Sequence, residues 1–179
     1  MKKQTLKLEL DDEVQPFEDI AFVFFHTDEP NYAFADDLNR LYNLSLSRCA
    51  DMEMEGGLWP LFTYHDPLQQ LNYYLIERPQ KTGTSVPHWG AGHKLLLLQG
   101  QNAQEEAEHI YEEFNTTPTN DESQRERNEI LETLMQSFMP VSLYDPTPTT
   151  AVSKKSAKER AEMEELFARV LDYLDLNER

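Results

Sequence analysis

Cysteine, glycine and long apolar runs are all scarce in this chain of 179 residues, which has one cysteine and six glycines. A single thiol cannot form an internal disulfide, and a chain of this length buries enough surface to fold without one. The longest apolar runs, Ile20–Phe25 and Leu95–Leu98, are far shorter than the ~20 residues that span a bilayer. No apolar export segment follows the first residues. We therefore expect a soluble, cytoplasmic protein that does not bind membranes.

Basic residues are also few. The chain has 16 lysines and arginines against 33 aspartates and glutamates, which gives a formal net charge of −17. Such a charge repels the phosphates of nucleic acids and of anionic membranes. We therefore expect no nucleic-acid partner. Two interpretations of the charge stay open: a well-solvated surface, or a surface that attracts a basic protein.

The strand patterns all fall in the first hundred residues, and helical patterns dominate the rest. Apolar runs and alternation predict five strands: Thr5–Leu10, Asp19–His26, Trp59–His65, Leu71–Glu77 and Lys94–Gln99. Helical periodicity predicts a helix at Pro30–Asn43 and two more after Asn102 and Thr119, each with a capping-box sequence. Because strands and helices are segregated, we predict an α+β fold, an antiparallel sheet of about five strands covered by helices on one face.

A linker and a final helix complete the predicted organisation. Residues 144–153 are rich in proline and threonine, which is typical of a linker. We predict an α+β domain at 1–143, a linker at 144–153 and a C-terminal amphipathic helix at 154–179. The helix carries an apolar stripe at Met163, Phe167, Val170 and Leu174.

The start of this last helix is basic. Its cations are Lys154, Lys155, Lys158 and Arg160, and they lie where the helix dipole disfavours positive charge. We predict that the 154–176 helix docks by its stripe, steered by the acidic helices between Glu105 and Glu132 of the same molecule or of a neighbour. A protein partner or a homo-oligomer would be bound through this helix.

Two histidines offer the best candidate metal ligands. His88 and His93 flank a glycine-rich segment, and two imidazoles brought together by such a loop can chelate a metal ion. A further ligand would have to come from afar, such as His65 or Asp66. The sequence contains no complete zinc or calcium motif, so an exposed loop with two ordinary histidines is the alternative interpretation.

Cys49 and a group of aromatic residues are the other candidates for a functional role. A catalytic thiol requires a histidine within hydrogen-bonding reach of Cys49, and no nucleophile motif surrounds it. The aromatic set is Trp59, Phe62, Tyr64, Tyr73 and Tyr74. Core packing with cross-strand aromatic pairs is favoured for this set over a surface patch for a partner.

Several features resemble the IPExxxVDY family of small bacterial proteins. They are the early strand with His26, the segment Tyr32–Leu46 with Leu38-Asn39-Arg40, Leu44-Ser-Leu-Ser-Arg48, the hairpin ending in Tyr74-Leu-Ile76, and the strand Leu95–Leu98. The family's motif would fall on Val86–Lys94, where the proline is kept and His88 and His93 replace the acidic residues. The resemblance covers about the first hundred residues and implies a fold, with no activity, catalytic residue or cofactor.

The sequence thus favours a non-catalytic role in binding or assembly, with no catalytic residue and no cofactor predicted. Two alternatives stay open. The first is a metal-dependent enzyme or metal-binding protein that uses the His88/His93 loop. The second is an acidic mimic that binds a basic protein partner.

Overall fold

Eight strands and four helices make up the described part of the chain. The computed structural model describes residues 19–27, 29–54, 57–77, 93–116, 121–137, 139–143 and 154–177. The elements are β1 (Ile20–His26), α1 (Asn31–Tyr42), β2 (Ser47–Arg48), β3 (Met52–Met54), β4 (Gly57–Trp59), β5 (Leu61–Asp66), β6 (Leu71–Glu77), β7 (His93–Gln99), α2 (Ala103–Asn115), α3 (Arg125–Ser137), β8 (Met139–Leu143) and α4 (Lys154–Asn177). A 3₁₀ turn at Glu122–Gln124 precedes α3.

Six of the strands form one antiparallel sheet in the order β2-β5-β6-β7-β1-β8, and β3 pairs with β4 in a separate hairpin. This confirms the predicted α+β class and antiparallel sheet. The strands β2, β3 and β8 were not predicted, and Pro60 divides the expected strand Trp59–His65 into β4 and β5. The expected strand Thr5–Leu10 lies outside the described residues and stays a prediction.

The central strands are apolar on both faces of the sheet. β1 and β7 pair along their whole length, from Ile20 opposite Gln99 to His26 opposite His93. Phe22 and Phe24 belong to one core cluster, whereas Val23 and Phe25 belong to the other. When both faces of a strand are buried, apolar and polar residues do not alternate along it. This explains why its sequence is a continuous apolar run.

Helices therefore cover both faces of the sheet, and the expectation of a single covered face was wrong. Residues of α1, α2 and α3 form one core with Val23, Phe25 and their neighbours. The other core combines the opposite side of β1 and β7 with α4 and the β3–β4 hairpin. Because alternate side chains of an apolar strand project to opposite sides, each side needs an apolar cover.

The last helix packs against its own sheet. Phe167, Val170 and Leu174 of the predicted stripe are buried, and the Phe167 ring stacks on Phe22 at a centroid distance of 3.9 Å. The side chain of Met163 lies outside the described part. The acidic helices α2 and α3 pack on the other face of the sheet, so they do not form the surface on which the stripe docks. Steering by charge stays a prediction.

The helix ends are capped in different ways. Asn102 is the N-cap of α2, as predicted, but its side chain makes no capping hydrogen bond. The turn before α3 is capped instead by Asp121, whose carboxylate accepts a hydrogen bond from the Ser123 N–H at 3.0 Å. Thr119 lies outside the described residues. The C-cap of α1 is Asn43, which has the left-handed conformation that asparagine tolerates.

The β5–β6 turn is held by a side chain and a glycine. The Asp66 carboxylate accepts hydrogen bonds from the N–H groups of Leu68 (2.8 Å) and Gln69 (3.1 Å), as aspartate side chains commonly do in turns. Gly100 follows β7 with a φ of +145°, and a Cβ there would lie 2.6 Å from the Gln70 carbonyl oxygen. Only glycine fits this close approach without strain.

In the part of the chain that the structure describes, no helix combines the length and apolar content needed to cross a bilayer.

Candidate binding groove

A groove opens on the α4 side of the sheet, where β5, β6, the loop after β2 and the last turns of α4 meet. It encloses a cavity of about 300 Å³. Its apolar and aromatic surface comes from Leu61, Tyr74, Tyr173 and Leu174, and its polar groups come from Cys49, Thr63, His65 and Asn72.

Strand geometry brings the polar groups together. Leu61, Thr63 and His65 occupy alternate positions of β5 and therefore share one face of the sheet. In the antiparallel register with β6, Thr63 lies opposite Tyr74, and His65 lies opposite Asn72. Side chains directly opposite each other have Cβ atoms only about 4.5–5.5 Å apart. Four groove residues are thus adjacent because of strand register alone.

The single thiol lies beside β5, because Cys49 directly follows the edge strand β2 that pairs with β5. The backbone N–H of Cys49 donates to the Leu61 carbonyl oxygen at 3.0 Å, which holds the loop after β2 against β5. The Cys49 Sγ shares a hydrogen bond with the Thr63 hydroxyl at 2.9 Å and lies 3.7 Å from the Ser47 carbonyl oxygen. Neither of these groups is a general base, so the contacts of the thiol do not match an activated nucleophile.

A pair of polar side chains sits at the rim. His65 Nδ1 lies 2.7 Å from the Asn72 Oδ1. An amide oxygen only accepts hydrogen bonds, so Nδ1 is the donor of this pair. In the neutral imidazole the other nitrogen, Nε2, is then an acceptor, and the Asn72 Nδ2 is a donor. This contact joins β5 to β6 at the rim of the groove.

The helix α4 completes the groove. Tyr173 and Leu174 line it, and the Tyr173 hydroxyl donates to the Asp51 carbonyl oxygen at 3.4 Å. This links the end of α4 to the loop that carries Cys49. These two linked residues are 122 positions apart in the sequence, which is why sequence patterns did not reveal the site. Thr63, Asn72 and Tyr173 were not predicted, and only their polarity within strongly apolar elements distinguishes them.

Of the two histidines predicted as metal ligands, His93 is the first residue of β7, and His88 lies outside the described residues. His65 lies opposite Asn72 of β6, and Asn72 lies opposite Gln99, which is at the other end of β7 from His93. Asp66 is the next residue after His65. Six residues of strand separate Gln99 from His93, a distance of about 20 Å. The suggestion that His65 or Asp66 completes a site at His93 is therefore wrong.

Metal binding by the histidine loop remains a prediction. Within the described ranges, no three histidine, cysteine, aspartate or glutamate side chains are arranged to hold a metal ion.

A second polar cluster lies under the start of α1. Lys94 is fully buried, and its ammonium is 3.4 Å from the Glu77 carboxylate, directly across the β6–β7 pair. Burial and the neighbouring Asp37 raise the pKa of Glu29, which Lys94 partly offsets. Asn31 is also buried. The sequence analysis did not identify this cluster. The feature that could have indicated it is Lys94, a lysine at the start of an apolar strand.

The aromatic residues pack mainly in the core, as predicted. Trp59, Phe62, Tyr73 and Tyr74 are buried, and Tyr64 pairs across the strands with Tyr73 at a ring-centroid distance of 6.0 Å. This set does not form a surface patch.

Neither a model of a known protein family nor any curated protein matches this chain. The resemblance to the IPExxxVDY family therefore stays a prediction.

Proposed function

We propose that this is a non-catalytic binding protein that holds its ligand in the groove between β5, β6 and α4. The observation that carries the proposal is the groove itself, a concave, mainly apolar cavity with a few polar groups at its edge. Binding sites for small molecules share this composition. Its thiol contacts a hydroxyl and a carbonyl group, which supports a role in binding over nucleophilic catalysis.

We further propose that the protein is bacterial and works in the cytoplasm. The single cysteine supports a reducing compartment, and the resemblance to a bacterial family supports the source. Cell fractionation with an antibody against the protein would test the compartment.

The mouth of the groove allows a direct test. Ala50 lines the groove and is exposed, so Ala50→Trp should fill the mouth without disturbing the core. Ala168 is exposed on α4 outside the groove lining, so Ala168→Trp adds the same side chain elsewhere. The protein is isolated from its own cells without denaturation and weighed by native mass spectrometry.

We expect wild type and Ala168→Trp to retain a small molecule that Ala50→Trp lacks. Equal retention by all three proteins, or retention by none, would overturn the proposal.

A second candidate function is capture of a basic protein. Glu105, Glu108 and Glu112 are exposed on α2 at a spacing that places them on one side of the helix. Like charges so close together disfavour the helix slightly, and a basic partner would relieve the repulsion. Replacing all three by glutamine should weaken binding of a basic protein such as histone H1, and affinity should fall steeply as salt rises. Salt-insensitive binding would contradict this function.

The alternative of a metal protein has its own test. Metal analysis of the purified protein would support it by finding stoichiometric zinc that is lost when His88 and His93 are both replaced by alanine. Wild-type protein without metal would remove this alternative.

A further inference from the structure

We infer that α4 is a lid on the groove: it leaves the sheet as a unit to open the groove, and a ligand in the groove stabilises its docked position. This inference rests on the proposed function and concerns the regulation of the same site. Two features of α4 lead to it: the helix docks by one apolar stripe, and the end of that stripe is also a wall of the groove.

The first feature is the way in which α4 is attached. A helix satisfies its backbone hydrogen bonds within itself, so α4 depends on side chains for its docking, whereas strands share backbone hydrogen bonds with their neighbours. Its buried side chains Phe167, Val170 and Leu174 lie on one face at helical spacing, and Glu165 and Ala168 are exposed. Such a helix can separate from the sheet without breaking any strand pairing, and the parts of a protein open with different free energies.

The second feature is the wall that α4 supplies. Leu174 belongs to the apolar core between α4 and the sheet, and it also lines the groove together with Tyr173. Phe167 belongs to the same core from a position outside the groove lining. The groove therefore loses this wall whenever the stripe leaves the sheet.

Coupling between docking and binding follows from the shared wall. A ligand that contacts both the sheet and α4 binds the docked state more tightly than the undocked state, in which the groove has lost Tyr173 and Leu174. Binding therefore stabilises docking, and weaker docking lowers the affinity by the same factor. A ligand at about ten times its dissociation constant that binds only the docked state reduces the opening of α4 about 10-fold.

Hydrogen exchange measures this opening. Protein isolated from its own cells without denaturation is compared with the same protein after unfolding in urea, dialysis and refolding. Native mass spectrometry verifies which sample holds the retained molecule. We expect the amides of residues 164–174 to exchange at least about 10-fold more slowly in the protein that holds it. The helix α1 (Asn31–Tyr42), on the other face of the sheet, is the internal control and should be unchanged.

The single thiol reports the opening in the refolded protein. Cys49 is the only cysteine of the chain and lines the groove, so its alkylation by iodoacetamide, read by mass, measures access to the groove. Phe167→Leu weakens docking from outside the groove lining and should speed the alkylation about 3- to 10-fold. Phe114→Leu makes the same change at a buried ring of the other core and should leave the rate unchanged. Circular dichroism verifies that both variants are folded.

The same pair of variants tests the coupling in the opposite direction. Because weaker docking lowers affinity, Phe167→Leu isolated from its own cells should retain less of the molecule than Phe114→Leu does. Native mass spectrometry gives the two occupancies.

Two results would overturn the inference: α4 exchange that is equal with and without the retained molecule, or Phe167→Leu and Phe114→Leu changing the alkylation of Cys49 equally. Failure of the proposed function is distinguished by the Ala50→Trp comparison. If native protein retains a molecule that Ala50→Trp lacks and α4 exchange does not respond to it, the lid is wrong and the binding function holds. If no molecule is retained, both are wrong.

Discussion

Lys94 is a fully buried cation in an apolar strand, and its partner Glu77 remains partly exposed. A buried charge is costly unless it is paired, and removing the partner leaves that cost uncompensated. We expect Glu77→Gln to lower the free energy of unfolding by about 1–3 kcal/mol. Lys94→Met should be neutral or stabilising, because it removes the charge and keeps the volume. Urea denaturation of both variants measures the effects.

The exposed ion pair between Arg40 and Glu126 is the control for this comparison. Replacing Glu126 by glutamine should change stability by less than about 1 kcal/mol. A Glu77→Gln variant no less stable than Glu126→Gln would show that Lys94 needs no partner.

Gly100 and Gly57 form a matched pair of glycines with positive φ values of 145° and 137°. A Cβ at Gly100 would collide with the Gln70 carbonyl oxygen, whereas one at Gly57 has open space. Alanine at either site incurs backbone strain of about 1–3 kcal/mol, and only Gly100→Ala adds the clash. Thermal melts should therefore place Gly100→Ala clearly below Gly57→Ala. Equal melting temperatures would contradict the close packing of this turn.

Glu106 on α2 makes the stability of the fold depend on pH. Burial raises the pKa of its carboxyl group, and His109 partly offsets the rise. The folded protein thus holds this proton more tightly than the unfolded chain does. The stability from this group is present below glutamate's ordinary pKa and is lost as pH rises through the raised pKa. Glu106→Gln should therefore be more stable than wild type at pH 7, with the difference disappearing in acid.

The measurement for Glu106 is urea denaturation at several pH values between about 4 and 8, a range that brackets glutamate's ordinary pKa. Glu105→Gln, on the exposed side of the same turn, is the control and should have little effect. A variant at Glu106 that loses stability at neutral pH would contradict the sign of this prediction.

Among the secondary-structure elements, α4 depends most on a single contact. Phe167 is fully buried and stacks on Phe22, with Phe24 at a centroid distance of 6.1 Å. Truncating a buried phenylalanine typically costs about 3–5 kcal/mol, so Phe167→Ala should lower stability by that amount. It should also speed alkylation of Cys49, because Tyr173 and Leu174 form a wall of the groove.

The control on α4 is Glu165→Ala, which removes an exposed ion pair with Arg169 and should cost less than about 1 kcal/mol. If Phe167→Ala unfolded like this control, α4 would not be held by its apolar stripe.

Elements with a clear apolar period were predicted from the sequence, and the strand β8 was not. The strands β1 and β7, the helix α1 and the start of α4 at Lys154 were predicted within a few residues, because each carries an apolar pattern of clear period. The strand β8 was not, since Pro140 and the few apolar residues around it also fit the end of a helix. Its pairing with β1 depends on a partner more than a hundred residues away.

For the molecule as a whole, the charge of −17 predicts a salt-dependent stability. Mutual repulsion among surface carboxylates disfavours the compact state, and salt screens it. Raising sodium chloride from about 20 mM to about 300 mM, which shortens the screening length severalfold, should raise the urea midpoint. A variant with glutamine at Glu105, Glu108 and Glu112 should show a smaller rise. A midpoint that falls with salt would show that attractive ion pairs dominate instead.

The sequence by itself determined the class of fold, the apolar central strands, the amphipathic helices and the sign of the charge. These properties depend on composition and on short-range periodicity, which are written in neighbouring residues. Only the tertiary structure decided that α4 covers the second face of the sheet, that Lys94 pairs with Glu77, and that Cys49, Thr63, Asn72 and Tyr173 share one groove. The physical reason is that strand register and helix docking join residues far apart in the chain, and no local pattern specifies which apolar surface meets which.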